Sequence, residues 1–109
     1  MKTYYGIDLG VKSSAYCLVD EQGEVVDEGE VTMDKECLKR VFGSKEPMPM
    51  VVEACPMAEW VCQYLEELGH EAVIIDARQA KAVIHSKRKT DKIDAKKLAQ
   101  ICRDRKSVV

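Results

Sequence analysis

Thr3-Tyr4-Tyr5-Gly6-Ile7-Asp8-Leu9 is the stretch from which the rest of the chain is read. Tyr5, Ile7 and Leu9 alternate with Tyr4, Gly6 and Asp8, which is the period of a β-strand whose successive side chains face opposite sides of a sheet. One side is wholly apolar. The other ends in a carboxylate, Asp8, at a place where a charge is costly unless a cation or a donor offsets it. Residues 10–13 read as a turn, and residues 14–19 resume the alternation. Asp20-Glu21-Gln22-Gly23 then signals a hairpin into a third strand over residues 24–31.

Further along, Asp34 is placed to cap a helix that runs to about Val41 and stops at Gly43. Pro47 and Pro49 mark a loop before a short buried strand, Met50-Val51-Val52. Pro56 opens an amphipathic helix in which Met57, Val61, Tyr64, Leu65 and Leu68 share one face. Gly69 ends it, and residues 71–75 form a fifth strand. A strand–helix–strand link this short predicts a right-handed parallel crossover. Beyond Ala77 the pattern is helical: a short segment near 78–84, a basic loop Ser86-Lys87-Arg88-Lys89, and a helix from Asp91 to about Arg103. The order βββαβαβα predicts an α/β fold, a mixed five-stranded sheet with flanking helices of the ribonuclease-H-like kind. Its first strand is central and pairs in parallel with the fourth.

The composition, 109 residues with 46% hydrophobic and 33% charged, fits one folded domain over residues 1–109 and excludes a disordered chain. No apolar run approaches the roughly 20 residues of a membrane helix, and no secretory leader is visible, so the chain is expected in the cytoplasm. Five cysteines without a Cys-x-x-Cys pair, and two histidines distant from them, argue for reduced thiols and against structural zinc. The charge is lopsided. Residues 78–106 hold eleven Lys/Arg against three Asp, while residues 1–77 hold six against sixteen acids. A basic segment on an acidic body suggests one face for a polyanion.

Four acids carry the chemistry: Asp8, Glu53, Asp91 and Asp94. If strands one and four are neighbours, Asp8 and Glu53 meet at their carboxyl ends, where ligand sites of open α/β sheets gather. Asp91 and Asp94 are spaced to share one helical face, which continues through Leu98, Ile101 and Cys102. Clustered carboxylates stay ionised together only around cations, and Mg²⁺ or Mn²⁺ suits such hard oxygen donors. Two such ions serve phosphodiester transfer by activating the attacking oxygen and stabilising the leaving one. Simpler roles stand beside these. Asp8 could close a strand, or with Ser13-Ser14 form the phosphate loop of a sugar-kinase or actin-like ATPase fragment. Glu53 could be a charge preceding the helix at Pro56, and Asp91 could be an N-cap with Asp94 at N3.

Tyr5-Gly6-Ile7-Asp8-Leu9-Gly10, Val52-Glu53-Ala54 and Arg88-Lys89-Thr90-Asp91-Lys92-Ile93-Asp94-Ala95-Lys96-Lys97-Leu98-Ala99 resemble the N-terminal domain of the DEDD transposases. These are the recombinases of the insertion-sequence 110 family, relatives of the Piv DNA invertase. The resemblance implies a fold similar to the Holliday-junction resolvase RuvC, with Asp8, Glu53, Asp91 and Asp94 as catalytic metal ligands. It implies DNA transposition and site-specific recombination by phosphodiester transfer, directed by a structured bridge RNA and performed by a homo-oligomer. The family's C-terminal domain, which carries a serine nucleophile, has no counterpart in residues 1–109, so this stretch alone is expected to be inactive. Lys87, Arg88, Lys89 and Lys92 are then expected to contact nucleic acid. The alternative reading is a nucleic-acid-binding or oligomerisation module without chemistry of its own.

Overall fold

The alternation of the opening stretch is realised as strand β1 (Thr3–Asp8), followed by β2 (Ser13–Asp20), β3 (Val25–Thr32), helix α1 (Lys35–Phe42), β4 (Pro49–Glu53), α2 (Ala58–Glu67), β5 (Glu71–Ile75) and α3 (Ala95–Ser107). These elements come from a computed structural model that describes residues 2–76 and 94–107. The short helix expected near 78–84 and the basic loop at 86–89 lie outside the described residues.

The five strands form one sheet in the order β3-β2-β1-β4-β5. β1 is central, antiparallel to β2 and parallel to β4, and β4 is parallel to β5. This is the ribonuclease-H-like arrangement that the element order predicts. At the β2–β3 turn, the Asp20 carboxylate accepts the N–H groups of Gln22 and Glu24 at 2.9 and 3.0 Å. Gly23 takes φ +83° there, a backbone state that side chains disfavour.

The two sides of β1 belong to different cores. Tyr5 and Ile7 are buried with Met50 and Val52 of β4 against Leu38 and Phe42 of α1 and Val61 and Leu65 of α2. Tyr4 is buried on the other side with Cys17, Val19 and Val51 against Ala95, Leu98, Ala99, Ile101 and Cys102 of α3. Helices thus cover both faces of the sheet. In the first core Phe42 stacks edge-on to Tyr5 and Tyr16, with ring centroids 5.3 and 5.6 Å apart. Buried His70 joins three segments there: its Nδ1 accepts the Met48 N–H at 3.2 Å, so its Nε2 is the nitrogen that donates to the Phe42 carbonyl at 2.7 Å. Burial pushes the thiols of Cys62 and Cys102 up to about 11 and about 12, and all five cysteines are free. They pack as small apolar groups.

Three helix boundaries differ from the sequence reading. α2 starts at Ala58, after a Met57 that offers no side-chain cap. The last helix starts at Ala95 instead of Asp91: Asp94 stands outside it as the N-cap, with Oδ1 accepting the Lys97 N–H at 2.8 Å. Asp91 lies outside the described residues. The helix also continues past Arg103 to Ser107, where Lys106 pairs with Glu71 at the start of β5.

α3 lies directly on β1 at Gly6. A Cβ there would come within 2.6 Å of the Leu98 carbonyl carbon and closer still to Ala99 N and Ala95 O. Gly6→Ala is therefore expected to force the helix off the strand and cost at least about 3 kcal/mol in denaturant unfolding. Gly69→Ala meets no neighbouring atom but sits at φ +100°. It is expected to cost only the backbone strain, about 1–2 kcal/mol. Equal losses in the two variants would contradict the close packing at Gly6.

Candidate active site

Asp8 is the last residue of β1, on the same side as Tyr4 and Gly6 and hence on the α3 side of the sheet. The parallel register pairs Gly6 with Val51 and Ile7 with Val52. Glu53 follows Val52, and strand alternation gives it the side of Val51, which packs against α3. Asp8 and Glu53 thus close adjacent parallel strands on one face, at their carboxyl ends. Across the sheet in the other direction Asp8 is paired with Ala15, and Ala15 with Glu30. One residue per strand therefore gives the row Glu53, Asp8, Ala15, Glu30, with a small residue leaving room between two acids. The next pair along, Cys17 and Glu28, shares that side.

Above this row sits the N-terminus of α3. Its cap, Asp94, and the strand acid Asp8 line one shallow depression of about 490 Å³, together with Glu28, Glu30 and Lys96. The Gly6 contact explains the meeting: a helix whose first turn rests on the end of β1 must hold its cap near Asp8. Burial pushes the Cys17 thiol up, Glu28 adds to the rise, and Lys96 opposes it. Capping uses one Asp94 oxygen, while a carboxylate offers about four acceptor sites.

Of the residues singled out from sequence, Asp8 and Asp94 come together in the depression, and Glu53 lies on the neighbouring strand outside its lining. Asp91, Lys87, Arg88, Lys89 and Lys92 lie outside the described residues. Among the described residues no three His, Cys, Asp or Glu side chains are grouped closely enough to hold a metal ion by themselves. Sequence reasoning missed Glu28, Glu30 and Lys96. The signal for the two glutamates was available, because β3 alternation sets both on one side of the sheet. That this side is the one α3 covers follows only from the folded arrangement.

Comparison with known proteins gives three findings. A family model described as a transposase, the DEDD type of insertion sequence 110, matches residues 5–109. No curated protein matches the chain. Among solved structures, the chain is similar to the ethanolamine utilization protein EutJ from Carboxydothermus hydrogenoformans, with 15% identity over 79% of this chain and 41% of that one and a TM-score of 0.50. It is also similar to the inorganic polyphosphate/ATP-glucomannokinase from Arthrobacter sp. strain KM, with 14% identity over 84% of this chain and 52% of that one and a TM-score of 0.51. At such identities the likeness is one of fold, and the chain spans about two fifths and about half of those two structures. Among the described residues no helix is long and apolar enough to cross a membrane.

Asp94 holds two positions at once, cap and site wall, and substitution separates them. Asn caps as well as Asp, so Asp94→Asn is expected to unfold within a few tenths of a kcal/mol of the unaltered chain, whereas Asp94→Ala loses about 1 kcal/mol. Thermal and urea unfolding of both variants check this. An Asp94→Ala chain as stable as the parent would show that the cap contributes nothing to α3.

Proposed function

The chain belongs to the DEDD transposase family of insertion sequence 110, and from that premise we propose that it is the metal-dependent domain with which such a transposase transfers DNA phosphodiesters. The observation that carries this reading is the convergence of Asp8 and Asp94, from opposite ends of the chain, in one depression at the carboxyl end of β1. In this reading Asp8, Glu53, Asp91 and Asp94 hold Mg²⁺ or Mn²⁺ and are the catalytic residues. Lys87, Arg88, Lys89 and Lys92 hold backbone phosphates of DNA or of a structured guide RNA, contacts that position the nucleic acid without reading its sequence. The domain works beside a serine-bearing C-terminal domain, in a homo-oligomer.

The residues present suit such an ion. The donor set is entirely carboxylate oxygen, and Mg²⁺ is commonly held by one or two carboxylates, several waters and substrate phosphate. Two carboxylates lining one hollow therefore suffice without a closed cage. A bound ion would supply Lewis-acid stabilisation of the phosphodiester oxygens and a more acidic attacking hydroxyl. The chain's own contribution is placement. β1 and β4 present Asp8 and Glu53 side by side, the cap bond to Lys97 N–H fixes the Asp94 carboxylate, and the N-terminal end of α3 favours negative charge in front of it.

A second reading, nucleic-acid binding without chemistry, draws on the excess of eleven Lys/Arg over three Asp in residues 78–106. Calorimetric titration of Mn²⁺ into the chain, with and without a DNA duplex, decides between the two. The metal-dependent reading expects saturable binding that Asp8→Asn and Asp94→Asn each weaken at least about tenfold, roughly 1.4 kcal/mol, with folding retained. Absence of Mn²⁺ binding in either condition, by a folded chain that still binds DNA, would establish the second reading.

A further inference from the structure

We propose that Lys96 is the phosphate-holding residue of this depression, its ammonium binding a non-bridging oxygen of the nucleic-acid backbone that lies across the hollow. The inference rests on the functional reading above and assigns a residue outside the four acids and outside the basic loop. It starts from an imbalance of charge. Asp8 and Asp94 share the depression with Glu28 and Glu30, which stand on β3, on the opposite side of Asp8 from Glu53. An ion held toward Asp8, Asp94 and Glu53 offsets the β1–β4 side only. A backbone crossing toward β3 meets two further carboxylates, and like charge repels it. Among the described residues lining the hollow, Lys96 is the one cation.

The fold aims Lys96 there. Lys96, Gln100 and Arg103 follow the spacing of one helical stripe, and the two later members are bonded to the β2–β3 hairpin. Gln100 Nε2 donates to the Gly23 carbonyl at 2.7 Å, Arg103 Nη1 to the Glu21 carbonyl at 3.0 Å, and Arg103 Nε to Gln100 Oε1 at 3.3 Å. These bonds turn the stripe toward β2 and β3, so that its first member comes down beside Cys17 and Glu28. Helix energetics argue against a lysine at that point. The first turn of α3, Ala95 to Leu98, contains no acid and carries Lys96 and Lys97, cations at the positive end of the helix dipole. The carboxylates around the hollow offset that cost in the chain by itself, and the same ammonium faces any phosphate that crosses toward β3. Lysine suits this role as a compact point charge on a flexible stem that can follow a phosphate oxygen.

The test uses the chain, Lys96→Gln, Lys96→Arg and a remote control, Lys39→Gln on α1. Binding of a fluorescent mixed-sequence DNA duplex in Mn²⁺ is followed by anisotropy across a salt series, beside Mn²⁺ calorimetry and thermal unfolding. Lys96→Gln is expected to bind DNA about three- to tenfold more weakly, with the slope of log affinity against log salt reduced by about one. Neither its Mn²⁺ affinity nor its Tm should fall, because the lost charge lies beside the carboxylates and at the positive end of α3. Lys96→Arg should recover most of the affinity, and Lys39→Gln should behave as the parent. A Lys96→Gln chain with parental DNA affinity and slope overturns the assignment while leaving the functional reading intact. So does a DNA loss that only follows a fall in Tm, since that marks a structural ion partner. A parent chain that binds neither Mn²⁺ nor DNA overturns the functional reading, and the assignment with it.

Discussion

The contact on which the rest depends is backbone against backbone: the first turns of α3 laid on Gly6 of β1 with no side chain between them. Ala95 and Ala99, the α3 residues nearest that contact, are themselves small and buried. Close approach buries Leu98 and Cys102 completely enough to join Tyr4, Cys17 and Val51 in one core. The same approach fixes where the helix begins, and therefore where its cap can be. Core packing and site geometry are thus one constraint. A substitution that lifts α3 for steric reasons moves Asp94 away from Asp8 as surely as it opens the core.

Much of this was legible because β1 states it twice. Tyr5 and Ile7 against Tyr4, Gly6 and Asp8 give both the strand period and the two faces, and the apolar Met50-Val51-Val52 leaves the fourth strand no place except beside a central first one. The start of the last helix was not legible, since Asp91 and Asp94 both satisfy the residue preferences of an N-cap. The choice is made by which backbone N–H meets which carboxylate, and Lys97 meets Asp94. The clamp from Gln100 and Arg103 to Gly23 and Glu21 was equally hidden, because its partners are distant in sequence and the acceptors are carbonyls, which every residue has. His70 reads as a lone polar residue before a strand. Only the fold shows both ring nitrogens committed to Met48 and Phe42.

The likeness to EutJ and to the glucomannokinase is one of fold, and a fold does not carry its chemistry with it. Asp8-Leu9-Gly10 followed by Ser13-Ser14 also fits a phosphate loop on sequence alone. Ser14, however, is buried; its hydroxyl accepts the Gly10 N–H at 3.3 Å and donates to Met33 Sδ at 2.6 Å. A hydroxyl held inside the turn braces the β1–β2 connection instead of meeting a phosphate. At the end of β1 in this chain, α3 brings a second carboxylate, Asp94, to the hollow that Asp8 lines.

That pairing also joins the two halves of the charge distribution. Asp8 comes from the acidic body, residues 1–77, where sixteen acids outnumber six bases, and Asp94 from the basic segment, residues 78–106, where eleven bases outnumber three acids. A phosphate backbone entering the hollow would meet the carboxylates of Asp8, Asp94, Glu28 and Glu30 that line it. On the proposed function, repulsion is relieved at two points of different kind: a divalent ion beside Asp8 and Asp94, which comes and goes with metal concentration, and Lys96 on the β3 side, which is permanent. The carboxylates that would hold the ion are the same groups that repel a phosphate, so the ion and Lys96 would act on one charge cluster from its two sides.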